Sequence, residues 1–76
     1  MPARPALRYR RFAQNLYDQR IRAQWTQEKL AERLKISSRY YQSLESGSHA
    51  PSFELLIRIV KALGCSWSDL LRDTEK

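Results

Sequence analysis

The sequence has few of the residues that build metal clusters, disulfides or catalytic centres. Its 76 residues include one cysteine, Cys65, and one histidine, His49. A single cysteine excludes an intramolecular disulfide and a cysteine metal cluster, and a single histidine excludes a multi-histidine metal site. His49 has neither a nucleophile motif nor an acid partner that the sequence identifies. We therefore expect a protein that is not an enzyme and that holds no metal and no cofactor.

Long apolar runs and low-complexity segments are absent too. No stretch approaches the roughly 18 apolar residues that cross a bilayer, and none has the pattern of a signal peptide. Glycine occurs twice, proline three times, and 42% of the residues are hydrophobic, which is typical of a folded chain. We expect one domain over residues 1–76, with a flexible leader at 1–6 and a frayed tail at 73–76, in a soluble cytoplasmic protein without membrane contact.

The positive charge is concentrated at the front of the chain. The formal net charge is +6, and residues 1–22 carry six arginines against the single acid Asp18, a local balance of +5. Such a basic surface attracts a polyanion, either nucleic acid or an acidic membrane surface, or it serves only solubility. Arg8, Arg10 and Arg11 are candidate phosphate contacts, with solubility as the alternative.

Five short helices are predicted from apolar spacing and capping residues. The first spans about residues 6–24; Thr26, Ser37 and Ser52 cap the next three, and Ser66 or Ser68 opens the last. Gly47 and Gly64 end the third and fourth helices. The residues predicted to face inward are Phe12, Ala13, Leu16 and Tyr17 in the first helix, Leu30, Ala31 and Leu34 in the second, Tyr41 and Leu44 in the third, and Phe53, Leu56, Ile57, Val60 and Leu63 in the fourth.

The third predicted helix, residues 38–46, has little to bury. Residues 35–37 form a connection so short that the second and third helices must cross sharply, as in a helix-turn-helix. Arg39, Gln42, Ser43 and Ser46 share the side opposite Tyr41. Arginine can form two hydrogen bonds with guanine, and glutamine can form two with adenine, so this polar face suits the major groove of DNA.

The motifs, taken in order, resemble the phage-repressor family of helix-turn-helix regulators, called Cro-like or Xre-like. The resemblance covers about residues 16–71 and runs through Arg20, "TQEKLA" at 26–31, Leu34, "IS" at 36–37, "ESG" at 45–47, "PS" at 51–52, and the "ALG" and "LL" that follow. It implies an all-α, compact five-helix, lambda-repressor-like domain with its helix-turn-helix at helices 2 and 3. It also implies a sequence-specific transcriptional regulator of double-stranded DNA, associated with the nucleoid.

The resemblance implies roles for individual residues. The positions that match base-reading residues are Ser38, Arg39, Gln42 and Ser43. The positions that match phosphate contacts are Gln27 at the start of the second helix, and Ser46, Ser48 and His49 at the end of the third. Arg20 and Glu45 match a structural pair that fixes the angle of the third helix.

Two residues depart from the family pattern, and one is left with two roles. Lys35 stands where the turn usually has glycine in a left-handed conformation, which costs a lysine about 1 kcal/mol. Tyr41 replaces the usual Ile or Val, so its ring must fit beneath the third helix and its hydroxyl must find a partner. Tyr40 either contacts DNA or packs against a neighbouring helix.

A homodimer is expected by a separate argument. One short helix reads only a few base pairs, and a two-fold dimer places two such helices about 34 Å apart on a partly palindromic operator. The interface candidates are the apolar residues of helices four and five, especially Trp67, Leu70 and Leu71; alternatively these residues only close the monomer core. The alternative function is an antitoxin-type module that occludes a toxin partner and also binds its own promoter.

Overall fold

The computed structural model describes residues 9–74, and this part of the chain forms five helices. They are α1 (Arg10–Arg22), α2 (Gln27–Leu34), α3 (Ser38–Glu45), α4 (Phe53–Leu63) and α5 (Trp67–Leu71). Residues 9–74 include no strand, so the predicted all-α class is confirmed. The predicted leader and the last two residues of the predicted tail lie outside the described range. No helix within that range is long and apolar enough to cross a membrane.

Serine and threonine caps begin four of the helices, as the sequence predicts. Thr26 accepts a hydrogen bond from the Lys29 amide at the start of α2, and Ser37 accepts one from the Tyr40 amide at the start of α3, each at 3.0 Å. Ser52 caps α4 in the same way. Ser66, rather than Ser68, caps α5 in a reciprocal box with Asp69. Each such cap stabilises its helix by about 1 kcal/mol.

The core lies where α1 packs against α3 and α5 and where α2 packs against α3 and α4. Its members are the buried apolar side chains of all five helices. Those that are almost completely removed from solvent are Leu16, Leu30, Leu34, Tyr41, Leu44, Ile59 and Leu70.

Two predicted core residues are exposed instead. Tyr17 lies outside the core because Arg20 occupies the corresponding buried position one turn later in α1. Phe53 is 70% exposed, since the buried face of α4 is formed by Leu55 and Ile59. Leu56, Val60 and Leu63 pack against the edge of that core. Apolar residues cover all of α4 except the side that carries Glu54, Arg58 and Lys61, so their spacing does not single out Leu55 and Ile59 as the buried ones.

Three long-range hydrogen bonds from two polar side chains reach carbonyl oxygens at helix ends. The Asn15 side chain in α1 donates to the carbonyl oxygens of Leu70 and Arg72, both at 2.9 Å, at the end of α5. Arg58 in α4 donates to the Leu34 carbonyl at the end of α2. All three bonds satisfy carbonyls at or just after a helix end, where the partners available inside a helix are missing.

The connection between α2 and α3 is the tight turn that the sequence predicts. Lys35 adopts φ 62° and ψ 41°, the left-handed conformation. Its amide donates to the Glu32 carbonyl, and the Ile36 amide donates to the Ala31 carbonyl. The half-buried Ile36 then packs against the core, and Ser37 starts α3. The result is a helix-turn-helix.

Replacing Lys35 with glycine should stabilise the protein, because glycine adopts a left-handed conformation without steric cost. We expect the free energy of unfolding of Lys35→Gly to rise by about 1 kcal/mol, measured by urea denaturation. Lys61→Gly is the matched control, since Lys61 is an exposed residue within α4 and glycine there should destabilise by about 1 kcal/mol. Equal losses in both variants would show that the turn carries no strain.

Candidate nucleic-acid interface

α3 has a thin buried side and a broad polar side. Tyr41 and Leu44 are its two buried residues. Arg39 and Gln42, three positions apart, are both exposed and therefore lie on neighbouring parts of the outer surface. Ser38, in the first turn, is half-buried. The helix thus presents the guanidinium of Arg39 and the side-chain amide of Gln42 to the outside.

Ser43 is less available than the other predicted base-reading residues. Its side chain is half-buried, and its hydroxyl donates to the Tyr40 carbonyl at 2.6 Å. Only the lone pairs of the Ser43 hydroxyl are left for an external donor.

The segment after α3 folds back onto the last turn of that helix. The Ser43 carbonyl accepts hydrogen bonds from the Ser46 hydroxyl at 3.0 Å and from the Ser48 amide and hydroxyl at 3.2 and 3.1 Å. Gly47 supplies the left-handed residue, with φ 86°, that the reversal needs. The Ser48 hydroxyl also lies 3.3 Å from Nδ1 of His49. This arrangement holds the predicted phosphate contacts Ser46, Ser48 and His49 beside the outer face of α3.

Tyr40 belongs to this outer surface and not to the core. Its side chain is 37% exposed. Its ring centroid lies 6.4 Å from that of His49, and the two ring planes are tilted by 60°. The sequence allows Tyr40 either to pack against a neighbouring helix or to contact DNA. In the structure its ring is accessible, next to Ser43. No periodicity in the sequence brings Tyr40 and His49 together, because the folded-back loop determines that contact.

Glu45 is the centre of a buried polar cluster, which we define as Arg20, Gln27, Tyr41 and Glu45. Arg20 donates to Glu45 through Nε at 2.6 Å and through Nη2 at 3.2 Å. The Gln27 amide donates to the same carboxylate at 2.8 Å and the Tyr41 hydroxyl at 2.5 Å. The remaining Arg20 nitrogen, Nη1, donates to the Trp25 carbonyl. The predicted pair of Arg20 and Glu45 is therefore in contact, within a larger cluster.

The cluster keeps Glu45 ionised. Burial on its own raises the pKa of the Glu45 carboxyl, but hydrogen bonds from Arg20, Tyr41 and Gln27, with the charge of Arg20, outweigh burial and leave the pKa below its ordinary value. Burial and the hydrogen bond to Glu45 raise the pKa of Tyr41. The hydrogen bond to Glu45 raises the pKa of Arg20. Over residues 9–74, no buried side-chain nitrogen or oxygen lacks a partner.

Gln27 has a contact that the sequence did not predict. It was expected to face a DNA phosphate, whereas its side-chain nitrogen bonds to Glu45. Its side chain is half-buried, with one further amide hydrogen and the carbonyl oxygen not used in that bond.

The basic residues of α1 lie at one edge of this surface. Arg10 and Arg11 are exposed in the first turn of α1, and Arg8 lies outside the described residues. Arg10 and Ser46 line a shallow groove between α1 and the end of α3, together with Gln14 and Tyr17. The groove brings the basic helix next to the loop that follows α3.

α4 and α5 together carry a stacked aromatic pair. The rings of Phe53 in α4 and Trp67 in α5 lie 6.0 Å apart at an interplanar angle of 16°. Phe53 is 70% exposed and Trp67 is 40% exposed. Leu70, expected at a dimer interface, is fully buried and belongs to the core, and Leu71 packs against that core. The interface prediction is therefore wrong for Leu70, whose side chain fills the space beneath α1.

The described residues include no group of three or more metal-ligating side chains that could hold an ion. Cys65 is half-buried and packs against the core, and burial raises the pKa of its thiol.

The chain matches a known protein family. A family model described as helix-turn-helix matches residues 16–70. The matched range begins within α1, contains α2, α3 and α4, and ends in α5. No curated protein and no solved structure matches the chain.

Substituting Glu45 with glutamine should destabilise the protein strongly, because the buried Arg20 loses its counter-charge. The two side chains are only 9% and 6% exposed, and we expect a loss of about 3 kcal/mol at pH 7 in urea denaturation. Glu54→Gln is the matched control, since Glu54 pairs with Arg58 on the open surface of α4 and its loss should cost less than about 0.5 kcal/mol.

The effect of Glu45 should also depend on pH. Because its native pKa is lowered, its stabilisation is complete above the ordinary value of 4.5 and is lost as the pH falls through the lower native pKa. The difference in unfolding free energy between the wild type and Glu45→Gln should therefore shrink as the pH falls from 4.5 towards the lower native pKa. A difference that stays constant down to pH 2 would contradict the assignment.

Proposed function

Because the chain belongs to the helix-turn-helix family of Cro-like and Xre-like DNA-binding regulators, we propose that it is a sequence-specific transcriptional regulator that inserts α3 into the major groove. The observation that carries this proposal is the division of α3. Tyr41 and Leu44 attach the helix to the domain, while Arg39 and Gln42 remain exposed on its outer surface. A helix of about 12 Å in length fits the groove with such a face toward the bases.

Arg39 and Gln42 are the principal base-reading residues in this proposal, and Ser38 and Ser43 assist. An arginine that donates two hydrogen bonds to guanine, or a glutamine that pairs with adenine, distinguishes those bases from the others. Ser43 acts as an acceptor, because its own hydrogen is bonded to the Tyr40 carbonyl.

The phosphate contacts surround α3. Gln27 stands at the start of α2, where backbone amides and the helix dipole attract anions. Ser46, Ser48 and His49 reach the backbone from the loop after α3, and Arg10 and Arg11 reach it from α1. Arg8, outside the described residues, is a further candidate from the sequence alone. Contacts of this kind position the protein without reading sequence.

Arg39→Ala should weaken binding to the preferred sequence and relax base preference. The preferred duplex is first obtained by selecting bound sites from a random pool at several salt concentrations. We expect its affinity for Arg39→Ala to fall by about 1–3 kcal/mol, while a random duplex of equal length loses only the effect of one charge. Fluorescence anisotropy measures both affinities.

Lys61→Ala provides the control for Arg39→Ala. It removes one positive charge from an exposed position in α4, and it should leave the base preference intact. Equal losses of Arg39→Ala on both duplexes would argue against base reading by this residue.

We also propose that the protein binds as a homodimer through the stacked pair of Phe53 and Trp67. Two aromatic side chains that stack in the open expose apolar area that a second copy would cover. The pair belongs to α4 and α5, the helices for which the sequence predicts the interface. A two-fold arrangement would pair two α3 helices with two half-sites of a partly palindromic operator.

Phe53→Ala tests this dimer. Because Phe53 is so exposed, its removal should leave the monomer folded and shift the dimerisation constant by about tenfold or more, since exposed aromatic anchors dominate interfaces. Sedimentation equilibrium at several concentrations measures the shift. Ile21→Ala, at another exposed apolar residue, is the control and should leave the constant unchanged. A mass that is unaffected by Phe53→Ala would rule out this interface.

A further inference from the structure

We infer that Tyr41 is a positioning residue for base recognition: its hydroxyl ties the Glu45 carboxylate to α3 and thereby sets the orientation in which α3 presents Arg39 and Gln42. The inference rests on the proposed function, because it concerns how α3 reads DNA. Tyr41 itself is fully buried and has no access to a base.

The Glu45 carboxylate is bonded both to the helices that support α3 and to α3 itself. Arg20 of α1 and Gln27 of α2 hold it relative to the rest of the domain. The Tyr41 hydroxyl, on Oε2, holds it relative to α3, which carries both residues four positions apart. The carboxylate thus connects α3 to α1 and α2 through hydrogen bonds.

Glu45 alone does not fix that connection, because its side chain has three rotatable bonds. Tyr41 has two, and its ring is enclosed by the core with no exposed surface. The ring therefore holds the hydroxyl, and the hydroxyl holds the carboxylate. Without the hydroxyl, Arg20 could keep its ion pair with Glu45 while α3 turned relative to α1 and α2.

The remaining attachment of α3 is too small to prevent such a turn. Without the hydroxyl it consists of the packing of the residue 41 ring and of Leu44, the two buried side chains of α3, and apolar packing has no directional preference comparable to that of a hydrogen bond. A bidentate contact from Arg39 to a base depends on donor and acceptor positions within a few tenths of an ångström. A small rotation of α3 should therefore reduce the discrimination between bases while it leaves the free energy of unfolding almost unchanged.

The aliphatic residue that the family resemblance implies at this position would fill space but donate no hydrogen bond. The tyrosine hydroxyl is consequently an addition in this chain to the pair formed by Arg20 and Glu45. It costs no unsatisfied polar group, since its bond to Glu45 is made within the core.

Tyr41→Phe tests the inference, because it removes the hydroxyl and retains the ring. The full-length protein is titrated, well below its melting temperature, with the duplex selected by the wild type and with a random duplex of equal length. We expect about a tenfold loss on the selected duplex, no change on the random duplex, and a broader set of sequences in a new selection with the variant. Ile21→Ala, a neutral change at an exposed residue of α1 that takes no part in the polar cluster or the proposed interface, should change neither affinity.

Glu45→Asp provides a second route if Tyr41→Phe does not fold. It keeps the charge for Arg20 and draws the carboxylate back from the Tyr41 hydroxyl, so it should reduce the selected-to-random affinity ratio in the same way. In the double variant Tyr41→Phe with Glu45→Asp, the loss of the affinity ratio should equal that of Glu45→Asp alone. Both changes break the same contact, between the Tyr41 hydroxyl and the carboxylate of residue 45.

The possible results separate this inference from the proposed function. Unchanged discrimination by Tyr41→Phe, or equal losses on both duplexes, overturns the positioning role and leaves base reading by α3 intact. A wild-type protein that selects no preferred sequence overturns the proposed function, and the positioning role with it.

Discussion

The hydrogen-bonded ion pair between Arg20 and Glu45 is the interaction on which the geometry of the molecule depends. It connects α1 to the end of α3, and Gln27 and Tyr41 extend it to α2 and to the interior of α3. Two charges removed from water are costly unless every polar atom finds a partner. Here the carboxylate receives four hydrogen bonds, and the guanidinium also satisfies the Trp25 carbonyl, so the cost of burial is offset within the cluster.

Stability and orientation are consequently assigned to different parts of the structure. Leucine and isoleucine side chains from α1, α2, α4 and α5 supply most of the apolar burial, which is large in energy but weakly directional. α3 adds Tyr41 and Leu44 to this core and is oriented in addition by polar contacts. A helix that must keep Arg39 and Gln42 outward has few positions left for apolar anchors, and directional bonds compensate for them.

The sequence predicts local structure well and long-range side-chain contacts poorly. The caps at Thr26, Ser37 and Ser52, the left-handed Lys35 and the helix-turn-helix all follow from residues close together in the chain. The buried residues of α4 do not follow in this way, because apolar residues cover all of the helix except the side of Glu54, Arg58 and Lys61. The bonds from Gln27 to Glu45 and from Asn15 to the end of α5, and the stack of Phe53 on Trp67, join residues far apart in sequence, so only the assembled fold defines them.

The serine-rich loop after α3 has an electrostatic consequence. The carboxyl end of a helix carries a partial negative charge that repels phosphate, and the last turn of α3 contains no basic residue. Hydroxyls and an amide, which converge on the Ser43 carbonyl, cover that charge instead. The hydrogens of these hydroxyls are already donated to the Ser43 carbonyl, so a serine that donates to a phosphate must first release that bond. Because a neutral donor displaces no counterion, the proposed function then assigns the sensitivity of DNA binding to salt to the arginines of α1 and α3.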